Sequence, residues 1–265
     1  MRSSTNNHNK LSVCMLASGS KGNAIYISDD TTALLVDAGL SGVEIERRLR
    51  ARDLDPRDID AMIVSHEHSD HIRGVGILSR RFDLPVYLSE KTGPEASLTI
   101  GNIKDMRPFR CGEPFNVNTL DVHPFSIAHD AEDPAGFTIK CNGRKVGIAT
   151  DLGIATAMVK QHLKGCDLLI LEANHDPEML INGPYSWPLK QRIKGRTGHL
   201  SNQASGALLS ELKHDRLQHV ILAHLSETNN TPAKAVQEVG PALDGCRARL
   251  HVATQDLCGE ILTIT

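Results

Sequence analysis

The sequence predicts an α/β chain folded as one domain, with two mixed sheets packed face to face and helices on their outer sides. Three observations predict it. Short apolar runs separated by glycine- and aspartate-containing turns open the chain as a strand meander, over 11–17, 24–28 and 32–36. Strands then alternate with helical patterns, and the second half repeats that order loosely. Finally, Ser65-His66-Glu67-His68-Ser69-Asp70-His71 sits between an apolar strand and the start of a helix, the kind of corner where α/β proteins place their sites.

The elements follow in order. The first three strands are joined by turns at 18–23 and 29–31, and Asp37-Ala38-Gly39 breaks the third. Residues 43–52 have helical spacing with a basic outer face. A strand over 59–64 leads into the histidine cluster, a helix runs on to about 82, and 84–88 is a strand. In the second half, 115–125, 136–141 and 145–150 read as strands, 154–163 as a helix and 167–171 as a strongly apolar strand. A helix over 201–212 is capped by Ser201. Then come a strand over 219–223, a helix over 232–239 and closing strands over 249–254 and 260–265. The segment 172–198 is rich in Gly, Pro and charge and reads as a helical insertion near the site. Residues 1–10 read as a disordered polar lead-in and 11–265 as the domain.

Composition narrows the function classes. The chain has 265 residues, 40% hydrophobic but only 3% aromatic, so its core is built from Ala, Val, Ile and Leu. A formal net charge of −3 gives no bulk attraction to polyanions. The cysteines at 14, 111, 141, 166, 246 and 258 form no Cys-x-x-Cys pair, which argues against a thiolate metal site and for reduced residues of a cytoplasmic protein. The first ten residues lack a signal-peptide core, and no run approaches the ~18 apolar residues that span a bilayer, so no membrane partner is expected.

The histidine cluster points to metal. His66 and His68 suit one cation, and Asp70 and His71 can turn to a second, an arrangement that activates water between two divalent ions. Further ligands are expected directly after buried strands: His129, Asp151 and His224. His66, His68 and His129 then serve one cation, Asp70, His71 and His224 the other, with the two oxygens of Asp151 between them. Taken alone, Asp151 reads equally well as a helix N-cap. His8, His123, His162, His214, His219 and His251 read as surface or packed residues.

These residues resemble those of the metallo-β-lactamase-fold hydrolases. The matches are Asp37, the cluster from His66 to His71, His129, Asp151 and His224. The resemblance implies a four-layer αββα sandwich with a dinuclear site at one sheet edge. It is closest to the YycJ-like (WalJ-type) branch, through Leu16-Ala17-Ser18-Gly19-Ser20-Lys21-Gly22-Asn23, Glu172-Ala173-Asn174-His175-Asp176, Leu189-Lys190-Gln191-Arg192-Ile193, Gly198-His199-Leu200-Ser201-Asn202 and His224-Leu225-Ser226-Glu227-Thr228-Asn229-Asn230.

A ligand set of nitrogen and oxygen donors suits Zn²⁺, Mn²⁺ or Fe and excludes soft-metal sites. Two such ions outweigh Asp70 and Asp151, so the site favours an anionic substrate. Similarity to phosphodiesterase members of the superfamily makes His199 the residue that protonates a leaving oxygen or holds a phosphate oxygen, with Asp70 also catalytic. Ser201 and Asn202 present donors at a helix N-terminus. Ser20 and Asn23 lie in a glycine-rich turn, and Asn174 and His175 follow a buried strand. Lys190, Arg192, Lys194 and Arg196 form a basic stretch suited to a phosphate backbone. Tyr185 and Trp187 beside it either stack on a base or pack the insertion. The expected activity is a metal-dependent phosphodiesterase or nuclease acting on nucleic acid, with DNA exonuclease activity implied by the resemblance. The alternatives are a phosphodiesterase for a small cyclic phosphate or nucleotide, and a thioester or lactone hydrolase.

Overall fold

The computed structural model describes residues 10–265; the lead-in expected over 1–10 lies, apart from Lys10, outside the described residues. The first half of the chain forms β1 (Leu11–Ala17), β2 (Ala24–Ser28), β3 (Ala33–Val36), α1 (Gly42–Arg50), β4 (Ala61–Ile63), α2 (Ser69–Ile72), α3 (Val75–Phe82), β5 (Val86–Ser89), α4 (Thr92–Ile100) and β6 (Met106–Phe109). The second forms β7 (Phe115–Val117), β8 (Leu120–Ser126), β9 (Ala135–Cys141), β10 (Arg144–Ala149), α5 (Ala157–Leu163), β11 (Leu168–Glu172), α6 (Pro177–Asn182), α7 (Trp187–Lys194), α8 (Asn202–Leu212), β12 (His219–Ala223), α9 (Pro232–Val239), β13 (Arg249–Val252) and β14 (Leu262–Ile264).

Two seven-stranded sheets result, ordered β14-β1-β2-β3-β4-β5-β6 and β13-β12-β11-β10-β9-β8-β7. Each is mixed. From β14 to β3 and from β7 to β10 neighbours run antiparallel, and from β3 to β6 and from β10 to β13 they run parallel. Parallel neighbours need crossovers, and the helices supply them on the outer faces. Alternation along β1 shows the layering: Leu11, Val13 and Met15 enter the core between the sheets, while Cys14 and Leu16 lie under the helices of the first half. A third apolar cluster seats α5, α8 and α9 on the second sheet. The inner strands β3, β4, β5 and β11 are thus buried on both faces, which is why they read as continuous apolar runs.

Several expectations change in detail. The strand expected over 115–125 is a hairpin, β7 and β8, turning at Asn118 and Thr119 with Asn118 in the left-handed region (φ 48°). The helix after the histidine cluster is two helices, α2 and α3, broken at Gly74. Its amide donates to the Ala38 carbonyl at 2.7 Å, and a Cβ there would sit 2.4 Å from the Leu40 carbonyl oxygen. Two further elements, α4 and β6, were not expected. Pro94 stands in the first turn of α4 and Pro108 in β6, an edge strand; both positions tolerate proline, which makes them look like loop in sequence. Glu172 is the last residue of β11, not the start of a helical segment. No described helix is long and apolar enough to cross a membrane.

Candidate metal centre

Because β3 and β4 are parallel, as are β10, β11 and β12, the segments that leave their carboxyl ends gather at one edge of the sandwich. Asp37 leaves β3, and Ser65 and His66 follow β4. Asp70 and His71 occupy α2, Asp151 follows β10, Glu172 ends β11 and His224 leaves β12. Asp37, Asp151 and His224 all adopt left-handed backbone, with φ of 60°, 55° and 56°. That conformation turns the chain sharply at the strand end and aims the side chain inward, at a cost of roughly 1–2 kcal/mol per residue. Gly39 allows the close approach of three segments: a Cβ there would lie 1.6 Å from the Asp70 carbonyl oxygen and 2.7 Å from the Asn23 nitrogen.

Donor atoms of His66, His68 and His129 lie within 4.8 Å of one another, as do those of Asp70, His71 and His224, and those of His66, His71 and Asp151. Hydrogen bonds on the far side of each ring select the inward nitrogen. His71 Nδ1 faces the Asp37 carboxylate at 2.8 Å, His224 Nδ1 the Glu172 carboxylate at 2.8 Å, His129 Nδ1 the Gly198 carbonyl at 3.3 Å and His66 Nδ1 the Ser65 hydroxyl at 2.9 Å. These oxygens hold the proton on Nδ1 and leave each Nε2 lone pair directed into the cluster. Asp37 also accepts from the Ser65 amide at 2.8 Å and from its hydroxyl at 2.9 Å.

The donor set fits divalent cations. Asp151 Oδ2 and His224 Nε2 are buried and make no hydrogen bond, which is costly unless something else satisfies them. Burial pushes His66 and His129 below the ordinary histidine pKa, favouring the neutral form that ligates. Burial also opposes charge on His71 and His224, but Asp151 and its neighbouring carboxylates outweigh it and raise both well above the ordinary value. The buried carboxylates Asp37, Asp151 and Glu172, with the partly exposed Asp70, thus call for positive charge here. The alternative for Asp151 as a helix cap is overturned: α5 begins later, and Thr156 caps it, accepting from the Val159 amide.

Glu172 is the residue the sequence reading missed. It is fully buried, and its Oε1 lies 2.8 Å from both His199 Nδ1 and His224 Nδ1. Its Oε2 accepts from the amides of Leu152 and Leu200 at 2.8 and 2.9 Å. Burial would raise its pKa, but His199 and His224 hold it down to about 2. In turn, burial would lower His199, but Glu172 outweighs it and raises the imidazole above the ordinary value. The signal was present in sequence: Glu172 is a ligand-type residue at the end of an apolar strand, the same rule that picked out His129, Asp151 and His224.

A cleft of about 180 Å³ opens over this centre, lined by Ser20, Asp130, Asn174, Tyr185, Arg192, His199 and His224 among others. Of the candidates named from sequence, Ser20, Asn174, Arg192 and His199 line this cleft. Arg192 is paired with Asp130 at 2.6 Å. Asn23 lies deeper, its amide nitrogen 3.1 Å from His71 Nε2 and 3.3 Å from Asp70 Oδ2. Four candidates are placed elsewhere. Lys190 Nζ donates to the carbonyls of Ile181 and Gly183 at the end of α6, at 2.7 and 2.8 Å. Asn202 is buried in a reciprocal amide pair with Asn230 at 3.0 and 2.8 Å. Ser201 caps α8 through the Ala204 amide. His175 is buried beside Asn174, outside the cleft, and burial lowers its pKa to about 4. Tyr185 lines the cleft, whereas Trp187 is exposed and does not.

A family model described as a beta-lactamase superfamily domain matches residues 32–225, spanning β3 to β12 and every candidate ligand from His66 to His224. The chain belongs to this superfamily. Within it the chain falls in the YycJ-like branch. It is 39% identical over 232 residues to Exodeoxyribonuclease YycJ of Bacillus anthracis, covering 87% of this chain and 88% of that protein. It is 37% identical over 220 residues to Exodeoxyribonuclease WalJ of Streptococcus pneumoniae, covering 82% of each. Among solved structures, the metallo-beta-lactamase fold protein YhfI from Bacillus subtilis superposes with a TM-score of 0.73 at 17% identity, over 96% of this chain and all of that one. Human tRNase Z, short form, gives 0.64 at 17% identity, over 96% and 98%. Those two likenesses carry the fold. As a member of the metallo-β-lactamase superfamily, the chain is a metal-dependent hydrolase.

Proposed function

We propose that this hydrolase is a phosphodiesterase that uses two divalent cations to cleave nucleic acid, and that its substrate is DNA degraded from an end. The observation that supports the reading is the pair of three-donor groups, with Asp151 close to a member of each, His66 and His71. His66, His68 and His129 would hold one cation, Asp70, His71 and His224 the other, and Asp151 both. Zn²⁺, Mn²⁺ and Fe all suit these donors. Bound there, the cations supply Lewis acidity and a water acidified towards neutral pH.

The remaining work belongs to the protein. Asp37, Ser65, the Gly198 carbonyl and Glu172 keep the ligand rings oriented. His199, at the cleft wall with Nδ1 held by Glu172 at 2.8 Å, offers Nε2 to the leaving oxygen and gives it a proton. Arg192 takes a non-bridging phosphate oxygen, exchanging it for Asp130. The names of the two YycJ-like relatives, both exodeoxyribonucleases, support DNA and an exonucleolytic action.

The test is a metal-supplemented assay on end-labelled DNA, end-labelled RNA and a chromogenic phosphodiester, together with metal analysis. Release of mononucleotides from DNA ends and two cations per chain are expected. One cation per chain, or DNA left intact while the chromogenic ester is cleaved, overturns the corresponding part. The small size of the cleft favours a second reading, a small cyclic phosphate or nucleotide as substrate; turnover of such compounds at rates far above those on DNA would establish it.

A further inference from the structure

Beside the cleft lies a second cavity that nothing in the reading above uses. It measures about 340 Å³, and Ser18, Ser226, Gln255 and Asp256 stand in its wall. Three features join it to the metal centre. Ser226 lines both cavities. The Ser18 hydroxyl on its wall accepts from the backbone amide of His224 at 2.7 Å. Gln255, also on its wall, braces the turn that carries Ser20 and Asn23: its side chain accepts from the Lys21 amide at 2.7 Å and donates to the Gly22 carbonyl at 2.9 Å.

Size and lining indicate the occupant. Ligand pockets usually fall at ~300–1,000 Å³. The cleft over the cations, at about 180 Å³, is smaller than that, whereas the neighbouring cavity reaches it. Leu225, Pro232 and Ala253 offer apolar surface, and Thr231, Thr254 and Asp256 offer donors and acceptors at the edges. Among the described residues no cationic side chain lines it, and Glu227 at its rim is already neutralised by Lys21 at 2.8 Å. Such a lining repels phosphate and suits a flat, uncharged ring system with polar edges. We propose that this cavity is a nucleoside subsite, which seats the base and sugar next to the scissile phosphate while that phosphate lies in the cleft across Ser226. The inference rests on the phosphodiesterase reading and deepens it: the substrate must extend beyond one nucleotide to fill both spaces.

Asp256 is exposed and lines the subsite without touching the centre, so Asp256→Trp fills the space with little risk to the fold. Asp256→Asn keeps the size and removes the charge. Fluorescence anisotropy with a labelled hexathymidylate in EDTA reads binding without turnover, and hydrolysis of bis(p-nitrophenyl) phosphate, which carries no nucleoside, reads the cleft alone. The expected result is an affinity for the hexamer that falls at least fivefold in Asp256→Trp, that of Asp256→Asn staying within twofold of wild type. Turnover of the small ester should stay within twofold in both. Unchanged hexamer affinity in Asp256→Trp, or equal losses on both substrates, overturns the subsite. If wild type binds the hexamer and the tryptophan variant does not, but neither cleaves any phosphodiester, the subsite stands and the phosphodiesterase reading falls.

Discussion

At the scale of single residues, the centre depends on side chains that touch no substrate. Asp37 accepts three hydrogen bonds, from the Ser65 amide, the Ser65 hydroxyl and His71 Nδ1. Asp37→Asn puts an amide NH₂ against one of those donors and loosens the His71 ring. Cation affinity should fall about 10–100-fold, as for other residues that orient a metal-ligating histidine; titration with a competing chelator measures it, and unchanged affinity rules the role out. His199 behaves differently. His199→Ala should keep its cation content by atomic absorption yet lose roughly 10²–10⁴-fold in phosphodiester turnover. Equal losses of metal and activity would make His199 a ligand instead, since it also stands within 4.8 Å of Asp151, Glu172 and His224. Sequence offered the candidate ligands because imidazoles and carboxylates directly after apolar strands have few other uses. It did not show Glu172, whose charge placed it with the polar segment that follows, although its backbone is strand.

At the scale of elements, α7 separates its basic residues by function. Leu189, Arg192 and Ile193 face the cleft, while Lys190 faces back to the carbonyls that end α6. The spacing alone made all the cations look like one track; the bonds of Lys190 to the carbonyls of Ile181 and Gly183 set it apart from Arg192. Lys190→Met should lower stability by about 1 kcal/mol in urea unfolding and leave oligonucleotide affinity alone. Arg192→Met should do the reverse and flatten the dependence of affinity on salt. Swapped outcomes would restore the track. Across the sandwich, Asp29 links the turn before β3 to the turn between β7 and β8. It accepts from the Thr31 and Thr32 amides at 2.7 and 2.6 Å and from the Thr119 hydroxyl. Burial would raise its pKa, but the Thr119 hydroxyl and these amides outweigh it and hold it at about 2. A carboxylate depressed in the folded state stabilises fully above its unfolded pKa of about 4 and loses that contribution as pH falls from about 4 to about 2. Melting temperature should therefore drop over that window more in wild type than in Asp29→Asn; parallel curves would dismiss the link.

At the scale of the whole molecule, the candidate metal centre sits at the edge where both sheets end, so cations bound there would join the two halves of the chain. His66, His68, Asp70 and His71 come from the first half; His129, Asp151 and His224 come from the second. Because unfolding scatters these donors, bound cations stabilise the fold by mass action. Returning cation to chelated protein at 100 times its Kd should add about 2.7 kcal/mol of stability. A thermal melt that does not shift between EDTA and saturating Mn²⁺ or Zn²⁺ would show that the halves do not close on a common site.

The sequence by itself determined the class of fold, the position of most strands and the side chains from which a centre of nitrogen and oxygen donors could be built. Apolar periodicity is local, and ligand-type residues at strand ends are visible one segment at a time. Tertiary structure alone decided the rest. It bent Asp37, Asp151 and His224 into left-handed turns, brought Gly39 against Asp70, set Glu172 beneath two imidazoles and opened a second cavity across Ser226. Those facts depend on the distance between segments far apart in the chain, and that distance is fixed only when two sheets close on one core.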